Sequence, residues 1–199
     1  HLIKDSFHPY TLLYIGEEPS LIFGVTSKEK MTGLYIHIPF CESRCIYCGF
    51  YSTTSLKMRD TYVDALCQEM AIRRQQEYAD EKVALSTIYL GGGTPSMLHG
   101  RHLRQIFKHI QENYTLMDDM EVTMECNPDD VTPAFCDTIR ELPINRVSMG
   151  AQTFSDERLA FLHRRHRSQQ VPLAIERLRA IGARLRSGSS GVLDRIQCL

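Results

Sequence analysis

The chain has 199 residues, 43% of them hydrophobic and 24% charged, with a formal net charge of −1. That length suffices for one domain with a real core, and the charge balance offers no basic excess to recruit nucleic acid or an anionic membrane. Seven cysteines at this length do not make a secreted disulfide scaffold, no stretch is apolar enough to insert stably in a membrane, and the start lacks a signal-peptide pattern, so a reducing cytoplasm is expected.

Residues 1–30 show no clear period and open on His1 rather than Met. Met31 directly precedes the first strong strand pattern. The expectation is that 1–30 is an extension upstream of the natural start, against the plainer alternative of an N-terminal arm. Residues 34–38, LYIHI, read as a strand. Tyr62, Val63, Leu66 and Met70 make one face of a helix over about 61–78. STIYL at 86–90 is a strand running straight into Gly91, Gly92 and Gly93. Leu103, Ile106, Phe107 and Ile110 recur at helical spacing and predict a helix over about 101–113. EVTME at 121–125 is a strand. Thr132 followed by Pro133 reads as an N-cap with proline at the first helical position, opening a helix that carries Phe135, Ile139 and Leu142. NRVSMG at 145–150 is a fourth strand. A short helix near 155–162 follows. A longer one near 168–181 turns Val171, Ala174, Ile175, Leu178 and Ile181 inward and stops at Gly182. The segment 183–199 breaks the pattern and is expected to be disordered. Cys67, Cys126 and Cys136 fall in helix- or strand-like runs, where a buried free thiol is expected.

Alternating strands and helices predict an α/β fold with parallel strands and right-handed crossovers. A barrel and an open doubly wound sheet both fit. In either, chemistry gathers at the C-terminal ends of the strands. The loops at 41–48, 91–96, 125–129 and 150–152 all fall there.

Cys41, Cys45 and Cys48 are spaced C-x3-C-x2-C. Three thiolates on one loop can hold three corners of a cubane iron–sulfur cluster and leave the fourth iron open. A zinc site with His37 as fourth ligand is the alternative, although structural zinc favours paired C-x2-C halves. Disulfide pairing fits an odd, cramped trio poorly. GGGTPS, ending in Thr94, Pro95 and Ser96, allows backbone to approach a ligand closely. It lacks the Walker lysine and the G-x-G-x-x-G pattern, so neither a P-loop nor a Rossmann dinucleotide site is supported. Glu125 ends the third strand, as a ribose-hydroxyl acceptor or as a surface charge. Gln152 follows the fourth strand and could bond a ligand or the barrel rim. Arg164, Arg165 and His166 form a basic run, which is also what a solvated helix end looks like.

The segments YIHIPFCESRCIYCGF, GGGTPSML, ECNPDD and RVSMGAQTF, in this order, resemble the radical S-adenosylmethionine (radical SAM) superfamily over about residues 31–182. Within it they resemble the oxygen-independent coproporphyrinogen III oxidase-like group, and most of all the haem chaperone HemW. The resemblance implies a partial radical SAM (β/α) barrel, with about four β/α units present and the chain truncated before closure. It implies that Cys41, Cys45 and Cys48 hold a [4Fe–4S] cluster whose open iron chelates S-adenosylmethionine. An electron donor would then drive cleavage to a 5′-deoxyadenosyl radical. Tyr35, Gly92, Gly93, Thr94 and Glu125 match positions that contact this cofactor. Tyr47 matches an aromatic position beside the cluster. Gln152 and Arg164 match contacts to a second S-adenosylmethionine.

In the oxidase pattern a fourth cysteine follows the third by two residues; here that place is Phe50. This departure favours a chaperone that binds haem and delivers it to haem-accepting proteins such as respiratory enzymes. The enzymatic alternative is oxidative decarboxylation in porphyrin biosynthesis, and a zinc-binding interaction module is a further alternative. Relatives run well beyond this length. A fifth strand carrying an S-adenosylmethionine-binding aspartate, and a C-terminal region tied to haem handling, have no counterpart here. The chain alone is therefore expected to be inactive or barely stable, with an exposed edge strand.

Overall fold

Every second residue of the first predicted strand is apolar, and the computed structural model, which describes residues 13–17, 32–77, 83–185 and 197–198, turns that alternation into a two-faced sheet. Strands β1 (Leu13–Glu17), β2 (Thr32–Ile38), β3 (Ala84–Gly92), β4 (Thr115–Cys126), β5 (Arg146–Met149) and β6 (Gln197–Cys198) lie in that order. β1 is antiparallel to β2, and every other neighbouring pair is parallel. Because the parallel strands follow chain order without a reversal, the sheet has no switch point and the doubly wound alternative does not hold. Its winding is that of a barrel left open, with β1 and β6 at the two edges among the described residues.

Register stacks like on like. Ile36, Leu90, Met124 and Val147 form one row across β2 to β5, all fully buried. Val63, Leu66 and Met70 of α1 (Arg59–Glu77) join that core. So do Leu103, Ile106, Phe107 and Ile110 of α2 (Gly100–Asn113). α3 (Pro133–Glu141) adds Phe135 and Ile139, with the Thr132 hydroxyl accepting from the Phe135 N–H as the expected N-cap. A short helix, α4 (Asp156–Phe161), buries Leu159. α5 (Gln170–Leu185) adds Val171, Ala174, Leu178 and Ile181. Burying each of these Val, Leu, Ile, Phe and Met side chains is worth about 1.5–3 kcal/mol. The opposite sheet face carries the rows Tyr35–Tyr89–Thr123–Arg146 and His37–Gly91, then Glu125–Ser148. That polar face holds the site.

Three boundaries differ from the sequence reading. α5 runs through Gly182, which is buried, to Leu185; Ala183, Arg184 and Leu185 are good helix formers and outweigh the stop signal. β4 begins at Thr115 rather than at Glu121. β1 lies within 1–30, where LYI carries strand propensity too short to show a period. Of the segment 183–199 expected to be disordered, 183–185 belong to α5 and Gln197–Cys198 pair with β5 as β6; what was expected of 186–196, of the rest of 1–30 and of its natural start lies outside the described residues.

β4 is longer than its pattern because it pairs with β3 in two registers, Leu85 opposite Leu116 and Thr87 opposite Glu121. Asn145 braces the slip: its Nδ2 donates to the Met120 carbonyl at 2.8 Å and its Oδ1 accepts from the Val122 N–H at 2.8 Å. Asn145→Ala leaves both backbone groups without these partners. It is expected to lower unfolding free energy by about 2 kcal/mol, read by urea denaturation with an unchanged m-value.

Candidate metal and cofactor site

The cysteine loop begins where β2 ends. Cys41 N–H donates to the Thr53 carbonyl at 3.0 Å, and Thr53 N–H donates to the Pro39 carbonyl at 2.7 Å, so the two arms of the loop are zipped at its base. Phe40 is buried there, edge-on to Tyr62 at 5.3 Å. The Tyr62 hydroxyl donates to the His37 carbonyl at 2.5 Å, which ties α1 to the strand end. At the tip, Cys48 N–H donates to the Cys45 carbonyl. Cys41 is buried, while Cys45 and Cys48 are half-buried. Two of the sulfurs already have donors: Thr94 Oγ1 to Cys41 Sγ at 3.5 Å and Arg164 Nη1 to Cys45 Sγ at 3.4 Å.

The glycine-rich turn is wedged against this loop. Gly93 N–H donates to the Ile38 carbonyl at 2.8 Å, and a Cβ on Gly93 would lie 2.8 Å from that same oxygen. Gly92 has φ +108°, and a Cβ on it would fall 2.3 Å from the His37 ring. Glycine is thus required at both places by contact with β2. Glu125 is not a free surface charge. Its Oε1 accepts from the Tyr89 hydroxyl at 2.7 Å and its Oε2 from the Gly92 N–H at 3.2 Å. Burial, then the Glu125 carboxylate, pushes the Tyr89 phenol well above its ordinary pKa, so Tyr89 stays a donor.

All but one of the sequence-predicted residues line a single cavity of about 190 Å³: Cys41, Cys45, Cys48, Tyr47, Gly92, Gly93, Thr94, Glu125, Gln152 and Arg164. Tyr35 is the exception. It sits on the same sheet face, stacked on Tyr89 at 6.0 Å between ring centres, with its hydroxyl bonded to His37 Nδ1 at 3.2 Å. Gln152 is exposed at the rim in the left-handed region, φ +63°, a strained conformation for a non-glycine residue. Tyr47 is half-exposed; burial raises its phenol pKa and the neighbouring Arg164 opposes the rise.

The basic run after α4 is not a solvated helix end. Arg164 donates to the Gly150 carbonyl at 2.7 Å, to Asn127 Oδ1 and to the Cys45 sulfur. Arg165 pairs with Glu42, Asp129 and Asp130. His166 is buried, donating from Nε2 to the Ala151 carbonyl at 3.2 Å. Its Nδ1 has no hydrogen-bond partner among the described residues. Burial, followed by Arg164, lowers the His166 pKa. The unfolded chain therefore takes up a proton near the ordinary histidine pKa of about 6.5, while the folded chain resists it. Stability conferred by neutral His166 is present above that value and lost as pH falls through it. Melting curves from pH 7.5 to 5 are expected to show this loss, and His166→Gln to flatten it.

Asn127, Ser148 and the acidic pair Asp129 and Asp130 were not singled out as site residues from sequence. The ECNPDD segment drew notice only as a motif, and Ser148 faces the cavity through the strand alternation alone. The donor chemistry fits a thiolate-held cluster. Cys41, Cys45, Cys48, Cys67, Cys126 and Cys136 are free thiols. A cubane binds each thiolate to a separate iron and suits sulfurs spread round a cavity. Cys126 is buried in the wall of the same cavity, while Cys67 and Cys136 are buried elsewhere, and burial pushes the Cys67 thiol up to about 11.

Comparison with known proteins bears on this geometry. The profile of the Radical SAM superfamily matches residues 35–193, extending past Gly182. The heme chaperone HemW of Lactococcus lactis subsp. lactis is 36% identical over 155 residues, covering 77% of this chain and 39% of that protein. The oxygen-independent coproporphyrinogen III oxidase of Escherichia coli K12 is 31% identical over 169 residues, covering 84% and 36%. Among solved structures, the coproporphyrinogen III oxidase HemN from Escherichia coli, described as a radical SAM enzyme, superposes with a TM-score of 0.67 and 30% identity, covering 74% of this chain and 34% of that one. The chain spans about two-fifths or less of the length of these relatives.

Proposed function

The chain belongs to the radical SAM superfamily, and on that premise we propose that it serves a haem chaperone: a protein that holds a [4Fe–4S] cluster and S-adenosylmethionine, binds haem and passes it to acceptor proteins. Superfamily membership implies the cluster and S-adenosylmethionine. Haem, its recipients, an electron donor and a cytoplasmic setting are the proposal's own. In keeping with the last, no described helix is long and apolar enough to cross a membrane.

One observation carries the reading. Three thiols, the Gly92–Gly93 backbone, Glu125, Gln152 and Arg164 meet at one cavity at the C-terminal ends of successive parallel strands. Cys41, Cys45 and Cys48 would ligate the cluster, which supplies one-electron reduction of a sulfonium carbon–sulfur bond when bound. Thr94 and Arg164 donate to two of the ligand sulfurs and withdraw charge from them, which eases reduction. Glu125, held from both oxygens by Tyr89 and Gly92, presents its remaining lone pairs to ribose hydroxyls. Gly92 and Gly93 line the cavity with backbone, the space of their missing Cβ atoms being taken by His37 and by the chain at residues 38–40. Arg164 and Gln152 line the same cavity.

Phe50, 65% exposed two residues beyond Cys48, stands where the oxidase pattern has a further cysteine, and this supports the chaperone over the decarboxylase. The oxidase remains the second reading because the structural superposition on HemN favours it. The test uses the protein extended to the length of its relatives, reconstituted anaerobically. Retained haem that moves to an apo-acceptor, without consumption of coproporphyrinogen III, is the expected result. Porphyrinogen turnover without haem retention reverses the choice. Colourless protein with stoichiometric zinc overturns both in favour of a zinc-binding interaction module.

A further inference from the structure

We propose that Arg165 is a positioning residue that holds the cysteine loop in its metal-binding shape before any cluster arrives. The proposal rests on the reading of Cys41, Cys45 and Cys48 as metal ligands, and deepens it by naming what builds their loop.

Arg165 ties together four chain segments. From the turn after α4, its Nη1 donates to Glu42 in the cysteine loop. Its Nη2 donates to Asp130 at 2.8 Å, and its Nε lies 3.4 Å from Asp129, both in the loop after β4. The second oxygen of Asp130 accepts from Ser96 Oγ at 2.6 Å, which brings in the loop after β3. Ser96 Oγ also receives the Asn127 N–H at 3.4 Å. A second strut runs alongside, the Ile46 N–H to the Leu162 carbonyl at 3.4 Å.

Magnitudes decide which of these contacts matter. The side chains of Arg165, Asp129 and Asp130 are 16%, 17% and 13% exposed, and Glu42 is 59% exposed. An ion pair as open as that of Glu42 is usually worth little, because two long side chains must be ordered to make it. Here Arg165 is already fixed by the two aspartates, so only Glu42 loses freedom. Three different guanidinium nitrogens face the acceptors, Nη1 toward Glu42, Nη2 toward Asp130 and Nε toward Asp129, a set of donors that a guanidinium supplies and an ammonium does not. Glu42 is also the residue next to Cys41, whose N–H is held by Thr53, so the tether extends the fixed base of the loop toward Cys45.

The experiment is hydrogen exchange on the reduced, metal-free full chain. Amides of residues 41–53 are compared with core amides of β3 and β4 in the same sample. Wild-type loop amides are expected to be protected. Glu42→Ala, which removes only the exposed anchor, is expected to speed loop exchange about fivefold, and Arg165→Gln on the order of tenfold. Core exchange stays at the wild-type rate in Glu42→Ala. Arg165→Lys, which keeps the charge but not the fork, is expected to recover less than half of the lost protection. The proposal fails if Glu42→Ala leaves loop exchange unchanged, if loop and core exchange rise together, or if the wild-type loop exchanges like an unstructured peptide. Iron and sulfide uptake, measured in parallel, separates this from the cofactor reading. A wild-type chain that forms no cubane, yet shows an Arg165-dependent loop, sinks the ligand assignment and leaves the lock standing.

Discussion

Gly92→Ala is expected to destabilise the chain by about 3 kcal/mol or more, from strain and overpacking together. Gly92 has φ +108°, outside what an L-residue adopts comfortably, and its added Cβ would lie 2.3 Å from His37 Cε1 and 2.4 Å from Nδ1. The imidazole has nowhere cheap to go. Its Nε2 bonds the Tyr51 carbonyl at 2.9 Å and its Nδ1 bonds the Tyr35 hydroxyl at 3.2 Å. With Nε2 donating to a carbonyl, Nδ1 is the acceptor for the phenol. Expelling the ring breaks both bonds and frees the far arm of the cysteine loop. Moving the turn instead takes the Gly92 N–H away from Glu125. Gly49→Ala is the control: nothing lies within 4 Å of its added Cβ, and a change within about 0.5 kcal/mol is expected. Equilibrium denaturation of both variants checks the pair. Equal stabilities would show that the His37–Gly92 contact is soft and that this turn does not shape the loop.

That contact shows where sequence reasoning stops. The run Gly91–Gly93 after a strand announces a place where backbone must come close to something. The sequence gives no means of knowing that the neighbour includes His37, more than fifty positions earlier in the chain. The strands and helices were legible because periodicity is local: the apolar faces of Val63–Met70 and Leu103–Ile110 needed only their own spacing. The cysteine trio was legible because its chemistry lies within one loop. Glu125, Gln152 and Arg164 came instead through family resemblance, and by themselves each could be a surface residue. Arg165 was missed as a site residue because its partners Glu42, Asp129 and Asp130 come from two other loops, and charge pairing across a fold leaves no periodic trace. The slip in β4 was hidden for the same reason. It depends on Asn145, a residue that reads as the ordinary start of the next strand.

Cys45→Ser or Cys48→Ser is expected to abolish most cluster binding while leaving the metal-free fold nearly intact. Both residues are half-buried, and their substitution should shift stability by no more than about 0.5 kcal/mol. Cys41→Ser is expected to cost more, since Cys41 is buried and its sulfur accepts from Thr94. The comparison within one chain makes the test sharp. Cys67→Ser and Cys136→Ser alter buried thiols away from the cavity, so they should disturb stability and spare the cluster. Iron and sulfide analysis, with the visible absorbance of anaerobically loaded protein, reads the first effect; melting of the metal-free chain reads the second. A chain that keeps its full iron content without Cys45 or Cys48 cannot be using all three thiolates, and the open-corner chemistry would go with them. Loss of cluster from Cys67→Ser at unchanged stability would move the ligand set to another part of the fold. The distinguishing result is opposition: variants that bind no cluster yet melt like wild type, beside variants that melt early yet fill normally.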